Sequence, residues 1–183
     1  FRWAFERGDR IVFFPDQHLG RNTGVKLGIR LDEMVVWNPF EHQGGLSLSQ
    51  LERAKVILWQ GHCAVHTRFK VSHIEEARRR FPDVQIVVHP ECTQDVVSAA
   101  DKDGSTDFII RTVNEAPPGS VIAIGTEISL VNRLDRENSN KTIFCLDSVV
   151  CPCSTMYRIH PAYLAWVLES LLEGEVINCV SVD

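Results

Sequence analysis

Apolar residues along this chain fall into short runs separated by polar turns and by stretches with helical spacing. Residues 11–14, 34–37, 55–59, 84–88, 121–124 and 141–146 read as strands, carrying β-branched residues and bounded by turn formers. Between them, apolar positions at helical spacing predict helices over 49–54, 69–80, 93–100, 128–136 and 161–173, and another from Thr106 through Val113. Pro15 breaks the first strand, and Asp16 to Arg21 reads as a polar turn opening into a short helix. Residues 38–45, with Pro39 and the paired Gly44 and Gly45, form the clearest irregular insertion. Strands alternating with helices through short links predict the α/β class, with parallel sheets and right-handed crossovers. Successive units are alike in pattern only, so no sequence repeat is read.

Composition narrows the class of protein. With 44% hydrophobic and 23% charged residues over 183 positions, the chain is predicted to be globular and soluble, with one sizeable core or two small ones. The formal charge of -5 and the lack of a clustered basic face argue against nucleic acid as a partner. Arg78, Arg79 and Arg80 read as the solvated end of a helix, where positive charge suits the macrodipole. No apolar run approaches the ~20 residues of a membrane span, and no signal peptide is recognised, so a cytoplasmic location is expected. Six cysteines in no compact framework point to reduced thiols used for metal or catalysis. The first residue is Phe1, with a strand almost at once, and the chain reads as a piece of something longer.

The candidate chemistry gathers where strands end. Cys63 and His66 sit on a strand-to-helix turn, the edge where open α/β sheets collect ligands, and a thiolate and an imidazole there can serve a metal or a substrate. A buried thiol beside a solvated histidine is the plain alternative. His89, Pro90 and Glu91 leave the 84–88 strand together, as an acid-base pair or as a proline turn facing water. Gly104, Ser105 and Thr106 open a helix and read as an N-cap or an anion cradle; at Thr126 and Glu127 capping is favoured. Cys151 and Cys153, close together ahead of the last helix, can each ligate a soft metal. Cys92, Cys145 and Cys179 default to core or incidental roles, and His18, His42, His62, His73 and His160 to solvent or cap positions.

Six stretches in this order, FFPDQHLGRNTG, WQGHCAVH, VHPEC, DGST, IGTEISLVNRL and CPCSTMYRI, resemble the carboxy-terminal part of bacterial quinolinate synthase, the NadA family. The resemblance covers nearly the whole chain, and the 38–45 insertion and CPC ending look like the longer form of that family. It implies three αβα domains in a pseudo-threefold arrangement around a central cavity, with three-layer units and parallel sheets. Residues 1–59 would be the end of the second domain, 60–147 the third, and 148–183 a segment returning to the first.

The same resemblance implies a [4Fe-4S] cluster held by three cysteines. Cys63 and Cys153 match two of them, Cys153 rather than Cys151, and the third lies in the amino-terminal domain absent from these residues. Three thiolates for four irons leave one iron open as a Lewis acid. The implied reaction condenses iminosuccinate with dihydroxyacetone phosphate, releasing phosphate and two waters to form quinolinate in NAD biosynthesis. L-aspartate oxidase or dehydrogenase would supply the imine. His66, His89 and Glu91 match catalytic positions; His89, Pro90, Glu91, Ser105 and Thr106 match substrate-binding ones. Glu127 would shape the cavity or cap a helix. The fragment alone is expected to be inactive and to hold a cluster poorly, since two ligands enforce its geometry less than three. The competing reading is a structural zinc domain using Cys63, His66, Cys151 and Cys153.

Overall fold

The computed structural model describes residues 1–149 and 153–182. In chain order the elements are α1 (Arg2–Phe5), β1 (Ile11–Phe13), α2 (Gln17–Lys26), β2 (Met34–Trp37), α3 (Leu48–Arg53), β3 (Val56–Trp59), α4 (Val71–Arg80), β4 (Gln85–Val88), α5 (Gln94–Ala99), β5 (Lys102–Asp103), α6 (Thr106–Glu115), β6 (Val121–Gly125), α7 (Ile128–Glu137), β7 (Thr142–Cys145) and α8 (Pro161–Leu172). The strands form a three-stranded sheet, β1-β3-β2, and a four-stranded one, β5-β4-β6-β7, with every pair parallel. Parallel sheets flanked by helices are the α/β arrangement predicted from the sequence. The chain divides into two compact units, residues 1–150 and 151–183, with both sheets in the first and α8 in the second.

Central strands are buried on both faces, as a parallel sheet between helices requires. Ile86, Val87 and Val88 of β4 and Ile122, Ala123 and Ile124 of β6 are fully buried. On one face Val87, Ile122, Ile124 and Ile143 pack with Ile109 and Val113 of α6 and Val131 and Leu134 of α7. Ile74 and Ala77 of α4 and Val96 of α5 are buried as well. Each such aliphatic side chain contributes about 1.5–3 kcal/mol on burial, so this sheet is the firm part of the molecule.

In the first sheet, Ile11, Met34, Val56 and Leu58 form the core. α2 lies against it through Gly20 and Gly24, where a Cβ would overlap Leu58 and Phe13, or Met34. The opposite face is an apolar groove of about 240 Å³ lined by Val12, Phe14, Trp37, Ile57 and Trp59.

Four local expectations change. Asp16 to Arg21 is not a turn: the helix starts at Gln17, because the Asp16 carboxylate caps it by accepting the His18 and Leu19 N–H groups at 2.8 Å. The 38–45 insertion contains a 3₁₀ turn, His42–Gly45, with Gln43, Gly44 and Gly45 at positive φ. The helix expected from Ser49 starts at Leu48, because Ser47 and Gln50 form a capping box. The two-residue β5 escaped prediction; it is an edge strand made by pairing with Val87 and Val88 rather than by its own Lys102 and Asp103. The basic end of α4 is as expected, with Arg78 paired to Asp101 and Arg79 to Glu76. Among the described residues no helix is long and apolar enough to cross a membrane.

Candidate functional site

The turn after β3 is held from the β1–α2 side. The Gly61 carbonyl accepts the Gln17 N–H at 2.9 Å, and a Cβ on Gly61 would overlap the Pro15 carbonyl oxygen. Asp16 is buried, and while one carboxylate oxygen caps α2 the other accepts the Cys63 N–H at 2.9 Å. The Cys63 carbonyl in turn accepts the Thr67 hydroxyl at 3.0 Å. The half-buried cysteine is thus fixed through its backbone on both sides.

A second turn, after β4, carries His89, Pro90 and Glu91. In the sheet register Val88 stands opposite both Asp103 and Gly125, so the residues following β4, β5 and β6 emerge at one level. Asn22 of α2, buried in mid-helix, donates both amide hydrogens to this turn, to the Pro90 and Cys92 carbonyls at 2.8 Å each. One helix therefore braces both turns, through Asp16 and through Asn22.

His66 lies between them, 7% exposed. Its Nδ1 is 2.9 Å from Glu91 Oε2 and its Nε2 is 3.1 Å from Thr126 Oγ1. A carboxylate only accepts, so Nδ1–H donates to Glu91, and in the neutral ring Nε2 accepts the Thr126 hydroxyl. The Glu91 carboxyl is held below the usual carboxylate range, first by the His66 hydrogen bond, then by the charges of His66 and His89 and by a hydrogen bond from the Cys63 thiol. His89 stacks on His66 with ring centroids 4.3 Å apart. Burial, with the neighbouring His66 charge, lowers the pKa of His89. Its Nδ1 accepts the Glu91 N–H at 3.3 Å, which leaves Nε2 as the N–H of the neutral ring.

Ligand atoms of Cys63, His66 and Glu91 all lie within 4.8 Å of one another, a thiol, an imidazole and a carboxylate suited in type and number to a transition metal. Chemically the group offers a carboxylate-imidazole-hydroxyl relay with a second imidazole stacked beside it, able to hold or pass a proton where the turn after β3 of one sheet meets the turns after β4 and β6 of the other.

Within the first unit the structure brings Cys63, His66, His89 and Glu91 together. Ser105 and Thr106 are exposed at the start of α6, on the edge that follows β5, and the Ser105 hydroxyl caps that helix by accepting the Phe108 N–H at 3.3 Å. Cys153 belongs to the second unit, where its sulfur is 3.0 Å from Thr155 Oγ1 and its carbonyl accepts the Tyr157 N–H. Cys151 lies outside the described residues. Thr126 is not the cap expected of it: Glu127 caps α7, accepting the Ser129 N–H at 2.8 Å, and Thr126 turns to His66.

Cys92 is fully buried, and burial drives its thiol pKa far up; burial also raises that of Cys145. His160 caps α8 by accepting the Ala162 N–H at 3.2 Å, and His42 and His62 are exposed. His18 and His73 depart from the expected solvent role, each with a buried Nδ1 that has no hydrogen-bond partner among the described residues.

Sequence reasoning missed Asp16 and Asn22 as braces, and also the pair formed at 3.2 Å by Arg68, just after His66, and the buried Asp147.

The family model described as Quinolinate synthetase A protein matches residues 1–183. A quinolinate synthase of Corynebacterium glutamicum is 60% identical over 181 residues, covering 99% of this chain and 46% of the relative. Quinolinate synthases of Acidobacterium capsulatum and Geobacillus kaustophilus are each 53% identical, covering 100% and 98% of this chain and 49% of each relative. The chain spans about half the length of the curated relatives it matches. A match of this extent and identity shows that the chain belongs to the quinolinate synthetase A family.

Proposed function

We propose that this chain is the carboxy-terminal part of a quinolinate synthase acting in NAD biosynthesis, condensing iminosuccinate with dihydroxyacetone phosphate to quinolinate, phosphate and two waters. The observation that carries the reading is the relay from Thr126 through His66 to Glu91, with His89 stacked on it and Cys63 beside it. Such condensation and elimination need protons taken from carbon and nitrogen and delivered to leaving oxygens. His66 and Glu91 are within hydrogen-bond reach for that exchange, and His89, kept neutral by burial, offers an N–H donor. Ser105 and Thr106 would hold a substrate carboxylate, supported by their place at the open N-terminus of α6. Pro90 would shape the substrate wall, its carbonyl fixed by Asn22.

Cys63 and Cys153 would hold a [4Fe-4S] cluster, with a third thiolate supplied from the rest of the parent. The half-buried Cys63 thiol, set on a rigid turn beside polar groups, fits such a ligand, and Cys153 is likewise only partly buried. When bound, the cluster supplies a Lewis-acidic iron. Residues 1–59 are read as the end of a second αβα domain, 60–147 as a third, and 148–183 as a segment returning to the first. Support comes from the apolar groove on the outer face of the first sheet, and from α8, where Leu164, Trp166, Leu168 and Leu171 are at least half exposed. A cytoplasmic location and supply of the imine by L-aspartate oxidase or dehydrogenase complete the reading.

The test uses the full-length parent, purified anaerobically and reconstituted with iron and sulfide. It should be brown and form quinolinate; Cys63→Ser and Cys153→Ser should lose the chromophore, while Glu91→Gln should keep it and lose roughly 10²–10⁴-fold in kcat. A reconstituted parent that makes no quinolinate overturns the reading. One zinc per chain without acid-labile sulfide would favour the structural zinc alternative.

A further inference from the structure

Arg68 closes the short 3₁₀ turn that His66 opens, and no step of the proposed chemistry uses it. Its Nη2 donates to Asp147 Oδ2 at 3.2 Å and to the Val149 carbonyl at 3.5 Å. Asp147 is buried, 8% exposed, and its other oxygen accepts the Val149 N–H at 2.8 Å. A buried carboxylate is tolerated where its charge is matched and its lone pairs are used. The pair therefore joins two places 79 residues apart more firmly than an ion pair open to water would.

The position of the pair gives it a role. β4, β6 and β7 are neighbours in the second sheet, in that order. His66 Nδ1 meets Glu91, beyond β4, and its Nε2 meets Thr126, beyond β6. Arg68 meets Asp147, beyond β7. Thr126 and Asp147 each stand two residues past the paired Ile124 and Cys145, so they emerge side by side. The turn His66–Arg68 is thus attached to three successive strand ends, with neighbouring strands about 4.8 Å apart. The two imidazole contacts are single hydrogen bonds, which survive rocking of the ring and some sliding of the turn along the edge. The third attachment fixes where on that edge the turn rests.

We propose that Arg68, acting through Asp147, is a positioning residue for His66: it holds the imidazole in register between Glu91 and Thr126 and itself touches no reacting atom. Proton transfer depends steeply on such placement, and a displacement of about 1 Å can cost roughly 10²-fold in rate. Only the kinetic consequence rests on the reaction proposed above; the placement of the ring is read without substrate, iron or sulfide.

Heteronuclear NMR of the histidine rings in the 183-residue chain, above the histidine titration range, reads that placement. In the wild type His66 should be a single tautomer with its proton on Nδ1, the form the Glu91 carboxylate requires. Arg68→Met should let the two tautomers exchange, drawing the two ring nitrogen shifts together, with unchanged circular dichroism; Arg68→Lys, which keeps the charge, should restore most of the wild-type spectrum. Asp147→Asn should reproduce the effect of Arg68→Met, and the double variant should go no further than either, because both remove one link. In the reconstituted full-length parent, Arg68→Met should keep the brown chromophore and a KM within about twofold of wild type, and lose roughly 10–100-fold in kcat. Should the parent make no quinolinate, the functional reading fails and the ring spectra alone decide the positioning. A single His66 tautomer retained in both Arg68→Met and Asp147→Asn, additive effects in the double variant, or wild-type kcat in Arg68→Met overturns the proposal.

Discussion

The buried Asp16 carboxylate accepts the Cys63 N–H at 2.9 Å across 47 residues of sequence while capping its own helix with the other oxygen. Its removal breaks two things at once. An N-cap is worth about 0.5–2 kcal/mol, and an N–H left facing an empty buried position costs about 1–3 kcal/mol more. Asp16→Ala should therefore lower the free energy of urea unfolding by about 2–4 kcal/mol. Asp16→Asn keeps an oxygen for the cap and should lose less; equal losses would show that the cap contributes nothing.

Asn22 is the other brace. Asn22→Leu keeps the volume but strands the Pro90 and Cys92 carbonyls, both now served by one amide. The expected cost is about 1–3 kcal/mol, read from urea unfolding. Asn22→Asp should be worse, because a carboxylate would face two carbonyl oxygens. A neutral result for both variants would mean that the turn after β4 is held by its strand alone.

Periodicity made the main strands and helices legible because each is a local pattern. The runs at 85–88 and 121–125 are apolar nearly from end to end, which in a parallel sheet means burial on both faces, whereas the equally apolar run at 56–59 buries one face and lines the groove with the other. The chemistry at the strand ends was legible in part for the same reason: Cys63 and His66 come soon after β3 of the first sheet and His89 and Glu91 soon after β4 of the second, each set at the carboxyl end of its own parallel sheet, while the meeting of the two ends is not a local pattern. Asp16 and Asn22 were not legible, since their partners lie 47 residues or more away and nothing local announces them. Thr126 was misread because both it and Glu127 can cap; only the placement of His66, 60 residues earlier, decides which side chain turns inward.

Burial sets a pH dependence at His18. Its Nδ1 is buried without a partner among the described residues, and burial lowers its pKa below 6.5 despite the opposing charges of Asp16 and Asp95; Arg21 and His62 act in the same direction as burial. A ring with a depressed folded pKa takes up its proton in the unfolded chain first. Stability is therefore unaffected above the unfolded value and falls as pH drops through 6.5 toward the folded one. Urea unfolding between about pH 8 and pH 5 should show this decline, and His18→Gln should make it shallower, leaving the part that the likewise depressed His89 contributes. A variant that tracks the wild type point for point would remove His18 from the account.

Gly61 tests whether the turn bearing Cys63 tolerates displacement. Its backbone is not in the left-handed region, so the penalty for a side chain there is contact alone: the added carbon would meet the Pro15 carbonyl oxygen, which cannot swing aside as a side chain can. Moving it would also disturb the Gln17 N–H to Gly61 carbonyl bond and, beyond it, the Asp16 cap. Gly119 supplies the opposite case, with φ at +83° and no atom within 4 Å of an added Cβ, so its penalty is conformational, about 1–2 kcal/mol. Gly61→Ala should cost more, about 2–3 kcal/mol by urea unfolding, and should speed hydrogen exchange at the Cys63 amide, which Gly119→Ala should leave unchanged. If Gly61→Ala costs no more than Gly119→Ala and the Cys63 amide stays protected, the approach of these two turns is slack, and Asp16 alone sets the position of the cysteine.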